Sequence, residues 1–266
     1  MNRPLLLRLL PDRLRVSVWA RLYLGRTRNW DGPLYGSAAL RYAPGATMEL
    51  VPGDVISDCI AFTGVYELTL TRRVVQLAKK GGTLVDIGAN LGYFAILWAA
   101  ARSENRCIAF EPSPRNIDIL RRNVHRNGLE SQITVLPVAA GIVPGKLWFD
   151  LGPTEQTGWG GFASGYAAGR FETTVVRADE TVLGTSAIHL LKVDTEGADA
   201  WALMGCERLL KTRAVHEIWF EQHKPRIRAL GIPEDAAQDY LRSVGYLPRP
   251  IGNASAEVVE WFAVPD

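Results

Sequence analysis

The chain has 266 residues, 47% hydrophobic and 22% charged, with a formal net charge of +2. That describes a globular protein of one large α/β domain or two small ones. Its near-neutral balance argues against a protein that holds nucleic acid mainly through a phosphate footprint, so no nucleic-acid partner is expected. Cys59, Cys107 and Cys206 are an odd number at irregular spacing. They form neither a disulfide framework nor a zinc site, which makes a reduced, cytoplasmic setting the expectation.

At the N-terminus, Arg8, Asp12, Arg13, Arg15 and Arg21 interrupt every apolar stretch before it reaches the length of a signal-peptide core. No other stretch offers the roughly 20 uninterrupted apolar residues that span a bilayer. The segment up to about residue 28 is basic and partly amphipathic, so it could touch an anionic membrane surface weakly. Pro11 speaks against one continuous helix. The plainer expectation is a cap packed on the domain or on a second subunit. Residues 1–45 therefore read as an irregular, Arg-rich extension, with turns at Asp31-Gly32-Pro33 and Pro44-Gly45, and residues 46–266 as the domain.

Residues 47–65 suggest short strands around Pro52-Gly53-Asp54, and Glu67–Lys80 a helix stopped by Gly81-Gly82. The chain then alternates: strand Thr83–Ile87, helix Phe94–Ala101, strand Arg106–Phe110, helix Pro114–Asn127, strand Ile133–Val138. Short strands are expected near Leu147–Phe149 and Thr173–Val176, on either side of a glycine- and aromatic-rich stretch at 158–169. Strand Ile188–Val193, helix Ala198–Leu210, strand Glu217–Phe220 and helix Glu234–Val244 follow, and the hairpin Tyr246–Pro250 with Val258–Ala263 ends the chain. Nearly all-apolar strands alternating with helices predict a doubly wound, mostly parallel α/β sheet covered on both faces.

The turn after the first main strand reads LVDIGANLGYF, residues 84–94. A phosphate-binding P-loop needs Gly-x4-Gly-Lys-Ser/Thr, and no lysine follows Gly88. The dinucleotide fingerprint Gly-x-Gly-x-x-Gly fails at Asn90 and at Tyr93. What remains is Asp86-x-Gly88-x-Asn90-x-Gly92. A carboxylate beside such a loop repels a pyrophosphate but attracts the α-amino and sulfonium charges of S-adenosylmethionine. Glu111, at the tip of the next strand, is placed to accept both hydroxyls of a ribose, whichever nucleoside carries it. The bland alternatives are a helix cap for Asp86 and a turn residue before Pro112 for Glu111.

Two further strand tips carry chemistry: Asp194-Thr195-Glu196-Gly197, and Glu221 with His223. Methyl transfer is an in-line displacement that asks for positioning and proton removal. His223 is the first choice of general base because imidazole titrates near neutrality, unless it is a surface loop residue before Lys224-Pro225. Asp194 could orient the nucleophile, act as the base, or bind a divalent ion with Glu221; the set suits a hard cation loosely, and no metal is predicted. His125 reads as solvated, and His189 and His216 lie at the far ends of their strands. Trp159, Phe162 and Tyr166 belong either to a lid over the site that would touch substrate or to a surface loop with local packing.

The stretches FTGVYELTLTRRVVQLAKKGGTLVDIGANLGYFAILWA, AFEPSPRNIDILRRNVHRNGL and LLKVDTEGADAWALMGCERLL resemble the FkbM-type S-adenosylmethionine-dependent methyltransferases, from about Met48 to His223. The motifs in common are Tyr66-Glu67, Asp-x-Gly-Ala-Asn-x-Gly-Tyr from Asp86 to Tyr93, Phe-Glu-Pro at Glu111, an Asp in a short apolar segment at Asp179, and Lys-x-Asp-x-Glu-Gly ending at Gly197. The resemblance implies a class I, Rossmann-like sheet of seven strands with an antiparallel last strand, and methylation of a hydroxyl on a sugar or secondary metabolite. It implies that Glu67, Asp86, Gly88, Asn90, Gly92, Tyr93 and Glu111 line the cofactor pocket, and that Asp194, Thr195 and Glu196 lie where the methyl group meets the acceptor. A methyltransferase acting on RNA or protein, a non-catalytic cofactor-binding protein and, more distantly, a dehydrogenase are the competing readings.

Overall fold

The computed structural model describes residues 3–24, 33–182, 184 and 187–266. It opens with α1 (Leu5–Leu9), α2 (Asp12–Leu22) and α3 (Pro33–Gly36), then the paired strands β1 (Ala38–Ala39) and β2 (Thr47–Met48), and the helices α4 (Val55–Thr63) and α5 (Leu68–Ala78). The main alternation runs β3 (Thr83–Ile87), α6 (Tyr93–Ala99), β4 (Arg106–Phe110), α7 (Pro114–Arg126), β5 (Ile133–Leu136). Next come β6 (Ala139–Ala140), β7 (Gly145–Asp150), a 3-10 turn at Thr157–Trp159, β8 (Gly161–Phe162), β9 (Arg170–Val176) and α8 (Ala178–Thr181). The chain continues with β10 (Leu190–Val193), α9 (Asp199–Met204), α10 (Glu207–Lys211), β11 (Ile218–His223) and α11 (Lys224–Ala229). It ends with α12 (Ala236–Ser243), β12 (Tyr246–Ile251) and β13 (Val258–Pro265).

Seven strands form the central sheet in the order β12-β13-β11-β10-β3-β4-β5. Pairings from β11 to β5 are all parallel, and β13 runs antiparallel to both its neighbours. This is the mostly parallel, doubly wound sheet with an antiparallel last strand that the alternation and the resemblance imply. Winding proceeds outward from β3 to β5, then restarts on the other side of β3 at β10. The crevice beside the carboxyl ends of β3 and β10 is therefore the switch point, where open α/β sheets hold ligands. Helices α5, α6 and α7 build one core with the N-terminal segment, and α9, α10 and α12 build the other. Burial on both faces is why the strands read as continuous apolar runs.

The N-terminal segment is helical where an irregular extension was expected, broken at Leu10-Pro11 as Pro11 suggests. Its inner side belongs to the main core through Leu7, Trp19 and Leu34. Two guanidinium groups explain the attachment. Arg3 donates to the carbonyls of Ile60 (3.1 Å) and Ala61 (2.7 Å), and Arg15 to that of Thr63 (3.2 Å). Of these oxygens only that of Ile60 also accepts from the helix cap, Gly64 N at 2.7 Å; carbonyls in a last turn lack the usual intrahelical donors, and cations suit that end of the helix dipole. The expected turn residues Asp31 and Gly32, with Arg26 and Arg28, lie outside the described residues.

Residues 55–63 are helix α4 instead of strand. Asp54 caps its start by accepting from Ser57 N at 2.8 Å, and Gly64, at φ +77°, ends it. Local capping and burial of Ile60, Ala61 and Phe62 override the β-branched composition. The helix expected over 198–210 is split at Gly205, where a Cβ would lie 2.3 Å from the Gly141 carbonyl oxygen. The short strands near 147 and 173 extend into a second, four-stranded sheet ordered β6-β9-β7-β8. Asp179 is a buried anchor there, bound by Arg177 (2.9 Å) and Arg208 N (2.9 Å).

Candidate active site

A cavity with a free volume of ≈ 990 Å³, mouth included, opens at the switch point. The glycine loop forms its floor, and the loop's residue types follow from close approaches. Gly88 has φ +83°, and a Cβ there would meet the Asp194 carbonyl oxygen at 1.9 Å. Gly92, at φ +90°, would meet Leu120 Cδ1 at 2.4 Å. Asn90 occupies the left-handed region at φ +50°, which Asn tolerates better than most residues. Glu67 and Glu196 have the same handedness at φ +41° and +54°. Asn90 and Glu196 line the cavity, and Glu67 directly follows Tyr66, which also does. Backbone strain of this kind collects at functional sites.

Glu111 is 4% exposed and accepts from Asn90 N (2.8 Å) and Ser113 N (2.9 Å). Burial pushes its carboxyl up to about 7 against those hydrogen bonds. Asn116 Nδ2 also approaches Glu111, at 3.5 Å, and donates to the Thr157 carbonyl at 3.0 Å. The second-strand acid is thereby tied to the turn before the aromatic segment. Asp86, Glu67 and Gly92, expected to line the pocket, are not on the cavity wall and support it from behind; Asp86 is fully buried, with its pKa raised by burial. Its oxygens find no hydrogen bond among the described residues beyond an ion pair with Lys192 at 3.5 Å.

Lys192 opens the Lys-x-Asp-x-Glu-Gly motif, but the sequence gives it no role. It is the register partner of Asp86, and its ammonium reaches the Gly88 carbonyl (3.2 Å) and Asp194 (3.3 Å) over the Phe94 ring. Burial opposes its charge, but Asp194, Asp86 and Glu67 outweigh it and hold the pKa above the usual lysine value. Asp199, also missed, accepts from Thr195 N (3.0 Å) and Gly197 N (3.2 Å) and so shapes the turn that carries Asp194 and Glu196.

Asp194, Glu196 and Glu221 bring carboxylate oxygens within 4.8 Å of one another. Burial first, then Asp194, raises Glu196 to about 8 and Glu221 to about 11. Arg226 offsets part of this at Glu196, 3.2 Å away. Burial, Glu260 and Asp194 raise Glu67 to about 8. Burial and crowding thus leave Glu67, Glu196 and Glu221 largely protonated at neutral pH.

The structure does not bring His223 to this cavity. It lies one pleat beyond Glu221 at the end of β11, where it precedes α11, and it is absent from the cavity wall. Burial and then Arg226 lower its pKa. Tyr93 does line the cavity, with its hydroxyl accepting from Tyr66 N at 3.2 Å. The aromatic stretch divides. Phe162 lines the cavity and packs on Trp201. Trp159 lies under the Arg226 guanidinium in an adjoining groove of ≈ 840 Å³, which shares Phe162 and Glu196 with the first. Tyr166 is in neither; it is 76% exposed and packs edge-on against Trp148. Ile56 and Ile60 of α4 also line the cavity, which the strand reading of residues 47–65 concealed.

The family model "Methyltransferase FkbM domain" matches residues 86–248, more than half of the chain. Methyltransferase sdnD of Sordaria araneosa is 27% identical over 237 residues, 74% of this chain and 91% of that protein. Among solved structures, the methyltransferase FkbM of Methylobacillus flagellatus KT is similar at 16% identity and a TM-score of 0.49 over 80% of this chain. The chain spans 56% of that protein's length. An O-methyltransferase from Bacillus cereus, solved in complex with SAH, is similar at 13% identity and a TM-score of 0.43, over 76% of this chain and 83% of its own. The family match runs from the glycine loop through the acidic turn to β12, and the chain belongs to the FkbM methyltransferase family.

Proposed function

We propose that the cavity binds S-adenosylmethionine and that the enzyme methylates a hydroxyl of a small molecule or saccharide. The observation that supports this is the charge at the strand tips. Asp86, Glu111 and Asp194 end or follow β3, β4 and β10 around a loop without a lysine. Such a rim repels phosphate and favours an ammonium, a sulfonium and ribose hydroxyls. The buried Asn90 Oδ1, on the cavity wall and without a hydrogen-bond donor among the described residues, leaves an acceptor for those groups, and Gly88 leaves room for close backbone approach.

Glu111 would hold the ribose hydroxyls and Asp194 the amino-acid end, with Asp86 acting from beneath through Lys192. When bound, the cofactor supplies an electrophilic methyl group. The chain's own task is to place the acceptor and remove its proton. The groove between Trp159 and Glu196 adjoins the cavity and would admit the acceptor, with Phe162 excluding water between the two. With Glu221 already protonated, Asp194 or the ionised fraction of Glu196 takes the hydroxyl proton; a carboxylate raised to about 8 is a far stronger base than a free one once it is ionised, so turnover through it should rise as pH approaches 8. Incubation with methyl-labelled S-adenosylmethionine and panels of saccharides, phenols, RNA and protein tests the reading. Label appearing on a hydroxyl with matching S-adenosylhomocysteine supports it, and label found only on RNA or protein rejects it.

A further inference from the structure

The inner sides of α1 and α2 are fixed to the domain, but among the described residues many side chains on their outer sides are exposed. Leu5, Leu6, Leu9, Leu14, Leu22 and Leu24 are between 46% and 76% exposed. Single exposed leucines need no explanation, whereas five on two adjoining helices and a sixth just after them do. Interleaved with them are the exposed Arg8, Arg13 and Arg21. Asp12, the one acid between residues 3 and 24, faces inward, where it accepts from Tyr42 Oη at 2.6 Å and pairs with Arg15 and Arg41. Among the described residues, the outer face of α1 and α2 therefore carries leucine and arginine with no carboxylate.

We propose that this face is a binding surface for an anionic membrane. Leucines at the acyl boundary with arginines among lipid phosphates is the chemistry of a helix that lies in a bilayer interface. Among the described residues no helix is long and apolar enough to cross a membrane, so the contact is peripheral. A second copy of the chain fits less well, because a two-fold contact would set Arg8, Arg13 and Arg21 against their own copies with no acid between them. The placement also has a geometric consequence. Both helices pack on the region of α4, whose Ile56 and Ile60 line the cavity, so a membrane held by α1 and α2 lies one helix from the site.

Co-sedimentation of the full chain at low ionic strength, with vesicles of phosphatidylcholine containing about one third phosphatidylglycerol, tests the proposal. The protein is expected to pellet with these vesicles and stay in solution with pure phosphatidylcholine. Replacing Leu5, Leu9 and Leu14 by Gln, or Arg8, Arg13 and Arg21 by Gln, should each lower partitioning by about tenfold or more, with unchanged melting because these side chains are exposed. Failure of the wild type to pellet overturns the proposal. So does binding that survives both triple variants, which would place the contact elsewhere. A dimer in light scattering that the leucine variant dissolves, without vesicle binding, overturns it in favour of a second copy.

Discussion

Gly88 sits directly beneath Asp194: a Cβ on Gly88 would lie 1.9 Å from the Asp194 carbonyl oxygen. The glycine loop and the acidic turn are thus packed backbone to backbone across the β3–β10 seam, and the shape of one fixes the other.

Gly88→Ala should therefore lower stability by about 3 kcal/mol or more, since backbone atoms have to shift in addition to the cost of a positive φ. Gly45 has a similar φ of +91° with nothing within 4 Å, so Gly45→Ala should cost only about 1 kcal/mol. Denaturant midpoints of the two variants check the contrast. Equal losses would mean that φ alone, not the contact with Asp194, makes Gly88 necessary.

Lys192→Met should be among the most damaging single changes. It leaves Asp86 and Asp194 without the cation that now sits 3.5 and 3.3 Å away, and removing one partner of a buried ion pair costs roughly 3–5 kcal/mol. The loss should shrink as pH falls toward 5, because the stranded carboxyls then take up protons. Melting temperature against pH for both proteins shows this as converging curves; parallel curves would contradict the role given to Lys192.

The raised acids also set the pH response of the ligand-free enzyme. Glu111, Glu67, Glu196 and Glu221 stand at about 7, 8, 8 and 11 in the fold, against about 4.3 unfolded. Between those values the folded state keeps protons that the unfolded state has lost, so stability falls as pH rises. Acids held low, such as Glu49 by its hydrogen bond to Arg122, act below that window. Unfolding midpoints should be higher at pH 5.5 than at pH 8.5, and Glu221→Gln should flatten the slope.

Proton removal is the step on which sequence and structure part. Glu196→Gln should lower turnover by roughly 10²-fold or more while cofactor affinity changes little, whereas Glu221→Gln, which keeps the shape of the acid already protonated there, should change turnover far less. His223→Ala should stay within about threefold of wild type, because His223 is not on the cavity wall. Steady-state kinetics on the three variants decides. A collapse of kcat in His223→Ala alone would return the base to the imidazole.

Much of this was legible in the sequence where local pattern and tertiary demand agree. The strands Thr83–Ile87 and Arg106–Phe110 occur with the boundaries expected, because apolar runs ending in turn residues leave little choice. Asp86 and Glu111 stand at the predicted tips. What stayed hidden depends on contacts distant in sequence. The role of Lys192 comes from its register opposite Asp86, and α4 is decided by caps and core more than by propensity. His223 and Glu221 share a strand face, but period-two alternation does not show which of them the cavity reaches. Tyr166 and Trp159 belong to the same glycine-rich stretch, yet only packing against Trp148 and Arg226 separates them.

The central claim is that the acids at the strand tips hold a sulfonium nucleoside, and calorimetric titration of wild type and Glu111→Ala with S-adenosylmethionine tests it most directly. The account predicts saturable binding to the wild type, weakened by roughly 10²-fold or more in the variant through the lost hydrogen bonds to a charged acceptor. Its circular dichroism should be unaltered, and NAD should not bind either protein. Undiminished affinity in Glu111→Ala, or tighter binding of NAD than of S-adenosylmethionine to the wild type, would contradict it.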